Sequence, residues 1–381
     1  LNLDFGPRHV AFRDECREWL DANKPTEPLA SMDTPEGFEE HRQWERTLFE
    51  GGWSVPAWPA AYGGRDCDLI EWLIYEEQYW LSGAPGRVAA NGLSLLAPTI
   101  FNFGTPEQQD RFLPPMASGS EIWAQGWSEP EAGSDLAAIS TKAIRDGDHY
   151  VLNGQKTWCS RGAYADWIFC IVRSDPESQR HAGLTYLLVP AESPGLQRRT
   201  VPRLDGVPGF AELFFDDCRV PADNVLGGEG NGWGVAMAAA GSERGLSLRS
   251  PGRFMAAAER LTDLVRSLAA AGGVDPRLRD EATDAWIRAQ AYRWQTYMLA
   301  AQLMDGAEIG AEASLGKVFW SELDLELHAT ALRLLGESAE LTEGNDWMEG
   351  YVFALAGPIY AGTNEIQRNI IAERVLGLPR R

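Results

Sequence analysis

The sequence predicts an α+β multidomain chain: an N-terminal helical domain over 1–120, a middle β domain over 121–228 and a C-terminal helical bundle over 229–381. Three observations predict it. Apolar residues recur at helical spacing through the first hundred or so positions; strand-length apolar runs separated by turn residues begin after about Gly119; Ala-rich amphipathic spacing returns from Gly234.

In the first domain, Phe12, Cys16, Trp19 and Leu20 share one helical face that Pro25 terminates. Leu69, Trp72, Leu73, Tyr79 and Trp80 suggest the next helix. Thr105-Pro106-Glu107-Gln108 combines an N-cap hydroxyl, Pro at the first helical position and Gln closing a capping box, so a helix runs on toward Phe112 and Leu113. In the middle domain, His149 to Leu152 leads into Asn153-Gly154, a strong hairpin signal, with Lys156 to Cys159 as the returning strand. Trp167–Val172, Leu184–Val189 and Ala211–Phe215 follow as strands. The last domain is broken at Gly272-Gly273 and around Gly344. Ala285–Leu303 and Ala311–Leu335 are long enough for bundle helices, and a final helix starts after Gly362-Thr363 with Ile366, Ile370 and Ile371 inward.

Composition bounds the function. The 381 residues are 44% hydrophobic with 15 Trp, which indicates a folded globular chain. The net charge of −21 disfavours non-specific nucleic-acid binding. Five scattered cysteines and five histidines show neither paired-cysteine nor metal-ligand spacing, so no metal is expected. No apolar run approaches the roughly 18 residues needed to span a bilayer. The N-terminus lacks a basic then hydrophobic leader, so the cytoplasm is the expected compartment.

The stretch Glu121–Ser160 carries the chemistry-bearing pattern. Its Gly and Ser residues let the backbone approach a bulky ligand, while Trp127 and Trp158 offer flat apolar faces. That suits a large planar cofactor with polar edges; alone, such a cluster also fits an ordinary surface turn.

Three segments together, Ser128-Glu-Pro-Glu-Ala-Gly-Ser-Asp135, Asn153-Gly-Gln-Lys-Thr-Trp158 and Ile359-Tyr-Ala-Gly-Thr-Asn-Glu-Ile-Gln-Arg368, resemble in order and spacing the signatures of the acyl-CoA dehydrogenase family. The resemblance covers essentially the whole chain. It implies a middle domain that is β-barrel-like and a C-terminal four-helix bundle. It also implies an FAD enzyme that oxidises the Cα–Cβ bond of an acyl-CoA thioester to the trans-2-enoyl-CoA. A carboxylate takes the α proton, hydride passes from Cβ to flavin N5, and an electron-transfer flavoprotein is the usual reoxidant. Such a site must hold the developing enolate by hydrogen bonds and keep a desolvated base beside it.

By this resemblance Gln125, Trp127 and Ser128 line the flavin, Gly133 and Ser134 sit near its pyrophosphate and the CoA, Trp158 flanks the ring system, and Ser160 stands near N5. Gly362, Thr363 and Glu365 fall on further FAD-contact positions, where a helix N-terminus suits an anion. Many relatives carry the catalytic Glu between the positions of Tyr360 and Gly362, but this chain has Ala361. A second subset supplies the base from an earlier helix, and Glu243 falls on that position among Ala239, Ala240, Leu246 and Ser247. Surroundings that small and apolar desolvate a carboxylate and raise its basicity. Arg244 matches a residue that approaches the CoA.

Two further departures concern the R-x-x-F-G and Q-x-x-G-G stretches by which relatives reach the FAD of a neighbouring subunit. The corresponding regions carry Arg266 and Arg333 without the aromatic and the Gln. The chain is expected to form a homodimer or homotetramer. The departures keep open a heteromeric acyl-CoA dehydrogenase, in which a different subunit shares the FAD, and a non-catalytic subunit kept for assembly. The position of the base in that subset, with the small Ala236, Ala239 and Ala240, leans toward a branched, very long or ring-bearing acyl group.

Overall fold

The computed structural model describes residues 5–242, 250–307, 309–340 and 346–380. Helices come first, then a sheet, then helices again. The chain divides into two compact units: residues 1–24, 67–84 and 244–381 form one, and residues 25–66 and 85–243 form the other.

The first unit starts with α1 (Pro7–Asn23), whose buried positions Phe12, Cys16 and Leu20 are three of the four the periodicity selects; the fourth, Trp19, is half-buried. Helix α3 (Leu69–Leu81) opens on a capping box in which Asp68 and Glu71 satisfy each other's backbone N–H groups. The C-terminal part supplies α7 (Gly252–Ala271), α8 (Pro276–Met304), α9 (Ala313–Leu335), α10 (Asp346–Ala354) and α11 (Asn364–Ile370). Their shared core combines Phe254, Ala258 and Leu261 with Ala285, Ala289, Tyr292, Trp320, Leu323 and Leu327. The small residues of α8 let it approach its neighbours closely. Gly252 serves the same end at the start of α7, where a Cβ would meet the Glu76 carbonyl oxygen at 2.5 Å. A bidentate pair between Arg293 and Glu77, at 2.6 and 2.9 Å, ties α8 to α3.

In α11 the inward pattern differs from the expected one. Ile366, Ile370 and Ile371 are half-buried, and the buried positions are Asn364 and Gln367. Their amides satisfy polar groups beneath the helix, and that need outweighs the burial of isoleucine.

The second unit contains a helix that the sequence reading passed over, α2 (Pro35–Glu50). Its signals are ordinary ones: Thr34 caps it by accepting from the Gly37 N–H, Pro35 sits in the first turn, and Phe38, Trp44 and Leu48 are buried. Helices α4 (Ala97–Phe103) and α5 (Pro106–Ala117) follow, the latter beginning with the expected Thr105/Gln108 capping box.

Eight strands among the described residues form one sheet: β1 (Trp123–Gly126), β2 (Lys142–Asp146), β3 (His149–Ser160), β4 (Trp167–Arg173), β5 (Leu184–Pro190), β6 (Leu196–Val201), β7 (Phe210–Pro221) and β8 (Val225–Leu226). The spatial order is β6-β7-β3-β2-β4-β5-β8, with β1 added in parallel to β4. Helix α6 (Gly232–Ser242) completes the unit and buries Val235, Ala236, Ala239 and Ala240.

The Asn153-Gly154 hairpin does not form. Strand β3 runs straight through this pair, and the reversal lies at Gly147-Asp148, between β2 and β3. Opposite Asn153 it is β7 that bulges, with Asp216 and Asp217 facing one residue of β3, and a Cβ on Gly154 would come within 2.7 Å of the Thr141 Cα. Cys159, Cys170 and Cys218 belong to the sheet core. Burial pushes the thiols of Cys170 and Cys218 up to about 12 and about 11, which marks them as packing groups rather than nucleophiles.

Candidate functional site

The polar centre of the second unit is a buried ion pair that joins two motif segments. Lys156 on β3 is completely buried, and its ammonium donates to Glu129 Oε1 at 2.7 Å, to the Ile171 carbonyl at 2.7 Å and to the Trp127 carbonyl at 3.2 Å. All three N–H groups are thereby used. Glu129 also accepts from the Ser140 N–H at 2.6 Å, the Ser140 hydroxyl at 2.9 Å and the Thr141 N–H at 2.9 Å. Burial alone would raise the pKa of this carboxyl, but the Lys156 charge and the donated hydrogen bonds hold it down at about 2. The Thr157 N–H then donates to the Ser128 carbonyl at 2.9 Å. The loop after β1 and the middle of β3 are thus one rigid piece.

On this piece sit the expected flavin-lining residues of the unit. Gln125 and Ser128 are half-buried. Trp127 is buried edge-on against Tyr186, with ring centres 6.1 Å apart, and its Nε1 has no acceptor among the described residues. Gly133 and Ser134 lie exposed on the loop, and a Cβ at Gly133 would meet nothing within 4 Å.

Trp158 occupies a bulge of β3 itself, between Lys156 and Cys159 in the register with β7. Its backbone is left-handed, with φ of 59°, and this turns the indole outward until it is 61% exposed. Phe210 supports it edge-on at 5.6 Å. Ser160 ends the strand, half-buried and paired with Phe210.

In the first unit, the other expected cofactor segment has its own supports. Ala361 and Gly362 are both left-handed, with φ of 56° and 79°. The Gln367 side-chain amide donates to their carbonyls at 3.2 and 3.3 Å. Thr363 caps α11 by accepting from the Ile366 N–H, and Glu365 is exposed, its pKa lowered by its own N–H and by the Thr363 hydroxyl. Asn364 Oδ1 accepts from Lys317 at 2.8 Å and from the Ser321 hydroxyl at 3.1 Å. Arg333 pairs with Glu281 at 2.6 Å and Arg266 with Asp263 at 2.8 Å. Glu243 and Arg244 lie outside the described residues.

Glu129 and Lys156 fall within two of the family-like segments, where the sequence alone assigns neither a role. The signal available was an acid and a base at fixed places in two segments rich in Gly and Ser. Arg161, just past the end of β3, and Asp33, in the loop before α2, carry no comparable signal.

Family models match almost the entire chain: acyl-CoA dehydrogenase N-terminal domain over residues 6–120, middle domain over 124–218 and C-terminal domain over 230–376. The chain belongs to the acyl-CoA dehydrogenase family. Among its relatives is acyl-CoA dehydrogenase IpdE1 of Mycobacterium tuberculosis, 42% identical with 97% of each chain covered. Acyl-CoA dehydrogenase FadE26 of the same organism is 32% identical over 100% of this chain and 99% of its own. Of solved structures, the ChsE4-ChsE5 complex from M. tuberculosis matches with a TM-score of 0.85 at 30% identity, covering all of both chains. The Tcur3481-Tcur3483 steroid acyl-CoA dehydrogenase (ACAD) matches with a TM-score of 0.89 at 25% identity, again over the full length of both. As a family member the chain is an oxidoreductase of lipid metabolism, an acyl-CoA dehydrogenase.

Proposed function

We propose that this acyl-CoA dehydrogenase uses FAD to convert an acyl-CoA thioester into its trans-2-enoyl-CoA, with Glu243 as the base that removes the α proton. The observation that carries the cofactor assignment is the Trp158 indole, turned out to 61% exposure beside Ser160 on a strand locked by Lys156 and Glu129. An open aromatic face, an adjacent hydroxyl, the unpartnered Trp127 N–H and the open space at Gly133 fit a planar ring system with a polar edge and a phosphate-bearing tail. Bound FAD supplies the acceptor for the hydride leaving Cβ.

The remaining work falls to the chain. Glu243 takes the α proton; the helix that precedes it buries Val235, Ala236, Ala239 and Ala240 within its own unit. Ser128 and Ser160 orient the polar edge of the ring system, Trp127 and Trp158 exclude solvent from it, and Gln125 lines it. Gly133 and Ser134 admit the pyrophosphate and the CoA, and Arg244 neutralises CoA phosphate. Gly362, Thr363 and Glu365 complete the cofactor contacts. The acyl group is bulky and ring-bearing, a reading supported by the place of Glu243 on the earlier-helix position and by similarity to an enzyme titled a steroid ACAD. An electron-transfer flavoprotein is the proposed reoxidant.

A second reading follows from Arg333 and Arg266. Both are engaged by carboxylates of their own chain, Glu281 and Asp263, where relatives send side chains to a neighbour's FAD. On this reading the chain shares FAD with a different subunit, as the two-name complexes among its structural relatives suggest.

Purification of the chain alone, followed by a visible absorbance spectrum, native mass and a panel of acyl-CoA thioesters with an artificial electron acceptor, tests both. A yellow homo-oligomer that oxidises ring-bearing acyl-CoA supports the first. A colourless protein that gains flavin and activity only with a second subunit supports the heteromeric form. No turnover on any thioester in either state rejects the dehydrogenase mechanism.

A further inference from the structure

Two non-glycine residues at the end of β3 and just past it are left-handed, Trp158 with φ of 59° and Arg161 with φ of 54°, on either side of Cys159 and Ser160. Such conformations are strained for residues with a Cβ and persist only where the surroundings over-determine them. Upstream of Trp158 the restraint is the Lys156–Glu129 pair. Downstream it must come from elsewhere.

Arg161 provides it. Its backbone N–H donates to the Gly209 carbonyl at 3.0 Å, which pins the strand end. Its guanidinium turns inward, 3.6 Å from Asp33 Oδ1 and 3.4 Å from the Met32 sulfur. Asp33 is buried, and its Oδ1 has no hydrogen-bond partner among the described residues. Its other oxygen accepts from Arg203, which is held in turn by Asp205 at 2.7 Å. Burial pushes the Arg161 guanidinium down, and the Asp33 charge opposes that shift.

The loop that carries Asp33 is itself fixed. The Tyr164 hydroxyl donates to the Asp33 carbonyl at 3.3 Å. Glu40 accepts from the Ala30 N–H at 2.8 Å, and the two His41 nitrogens lie 2.7 and 3.1 Å from the Gly86 and Ala30 carbonyls. Arg161 therefore grips a rigid, buried anion.

We infer that Arg161, acting through Asp33, is a positioning residue that sets the Trp158 indole and the Ser160 hydroxyl for the flavin. Arg161 touches no reacting atom. It closes the bulge from the side opposite Lys156, so that the two anchors together hold a strained four-residue presentation of ring and hydroxyl. This rests on the proposal that FAD binds beside Trp158.

The experiment uses the full-length chain with Arg161→Met, Arg161→Lys, Asp33→Asn and the Arg161→Met/Asp33→Asn double variant. Hydrogen–deuterium exchange without added FAD reports the anchor itself. FAD titration followed by the visible absorption envelope reports its effect on the cofactor. The expected result is at least tenfold faster exchange over residues 157–164 in Arg161→Met, with the remaining sheet unchanged. FAD binding weakens about tenfold with an altered flavin spectrum, the double variant is no worse than Arg161→Met, and Arg161→Lys recovers most of the loss. Unchanged exchange in Arg161→Met overturns the anchor. Faster exchange with native FAD affinity and spectrum overturns its positioning role. If the native chain, alone and with its partner subunit, takes up no FAD, the cofactor proposal falls and this inference with it, whatever the exchange data say of the anchor.

Discussion

The Lys156 ammonium lies 2.7 Å from Glu129 Oε1 and gives its other two hydrogens to backbone carbonyls, so that a charge fully removed from water has every donor satisfied. Removing one partner leaves the other charge buried without compensation. Lys156→Met is expected to lower stability by about 3–5 kcal/mol, measured by urea denaturation, and to loosen the 127–135 loop. A variant with native stability would show that packing alone joins the two segments.

The same pair sets a pH dependence. The folded pKa of Glu129, about 2, lies below its ordinary 4.5. The stabilisation is therefore fully present above about 4.5 and is lost as pH falls toward 2. The stability gap between the native chain and Glu129→Gln is expected to be constant from neutral pH to about 5 and to shrink on further acidification. Denaturation curves for both proteins across that range test it; a gap that widens below pH 5 would reverse the sign.

How far the sequence led depended on whether a signal was local. The Thr105/Gln108 capping box and the α1 stripe of Phe12, Cys16 and Leu20 lie within a few turns, and both formed as read. Asn153-Gly154 is an equally local signal, yet its turn propensity lost to the pairing of β3 with β7, which accommodates the dipeptide by a bulge in β7 opposite it. Helix α2 had its cap and its Pro but was overlooked in a segment rich in Pro and Gly. The Glu129–Lys156 pair joins residues 27 apart, and Arg161–Asp33 joins residues far more distant. No periodicity reports such contacts, because only the sheet brings them together.

Glu243 follows directly on α6, outside the described residues, and the proposed mechanism has no other base. Glu243→Gln keeps the size of the side chain and removes its ability to accept the proton. Turnover of any acyl-CoA substrate is expected to fall by about 10²–10⁴-fold, the usual contribution of a general base, while the thioester still binds. Stopped-flow flavin bleaching separates these effects; a native bleaching rate would remove Glu243 from the mechanism.

Trp158 contributes an open face rather than core packing. Trp158→Ala therefore leaves unfolding by urea nearly unchanged, while FAD affinity falls by the equivalent of about 0.5–1.5 kcal/mol, the contribution of one aromatic pair. Flavin fluorescence titration is the measurement. A large loss of stability with unaltered affinity would make the residue structural.

Ala361 stands where many relatives carry their catalytic Glu, and its backbone is left-handed, with φ of 56°. For a residue with a Cβ that conformation costs roughly 1–2 kcal/mol, whereas glycine adopts it freely but loses about 0.4–1 kcal/mol through a more disordered unfolded chain. Ala361→Gly is thus expected to raise stability by about 0.5 kcal/mol without changing kcat, because neither residue can take a proton. Ala361→Glu adds a carboxylate at the position the other subset uses. In a Glu243→Gln background it is expected to restore part of the lost flavin bleaching, provided that Gln367 still holds the carbonyls of residues 361 and 362. No recovery, in a folded protein that retains its flavin, would mean that this backbone position no longer aims a side chain at the α carbon.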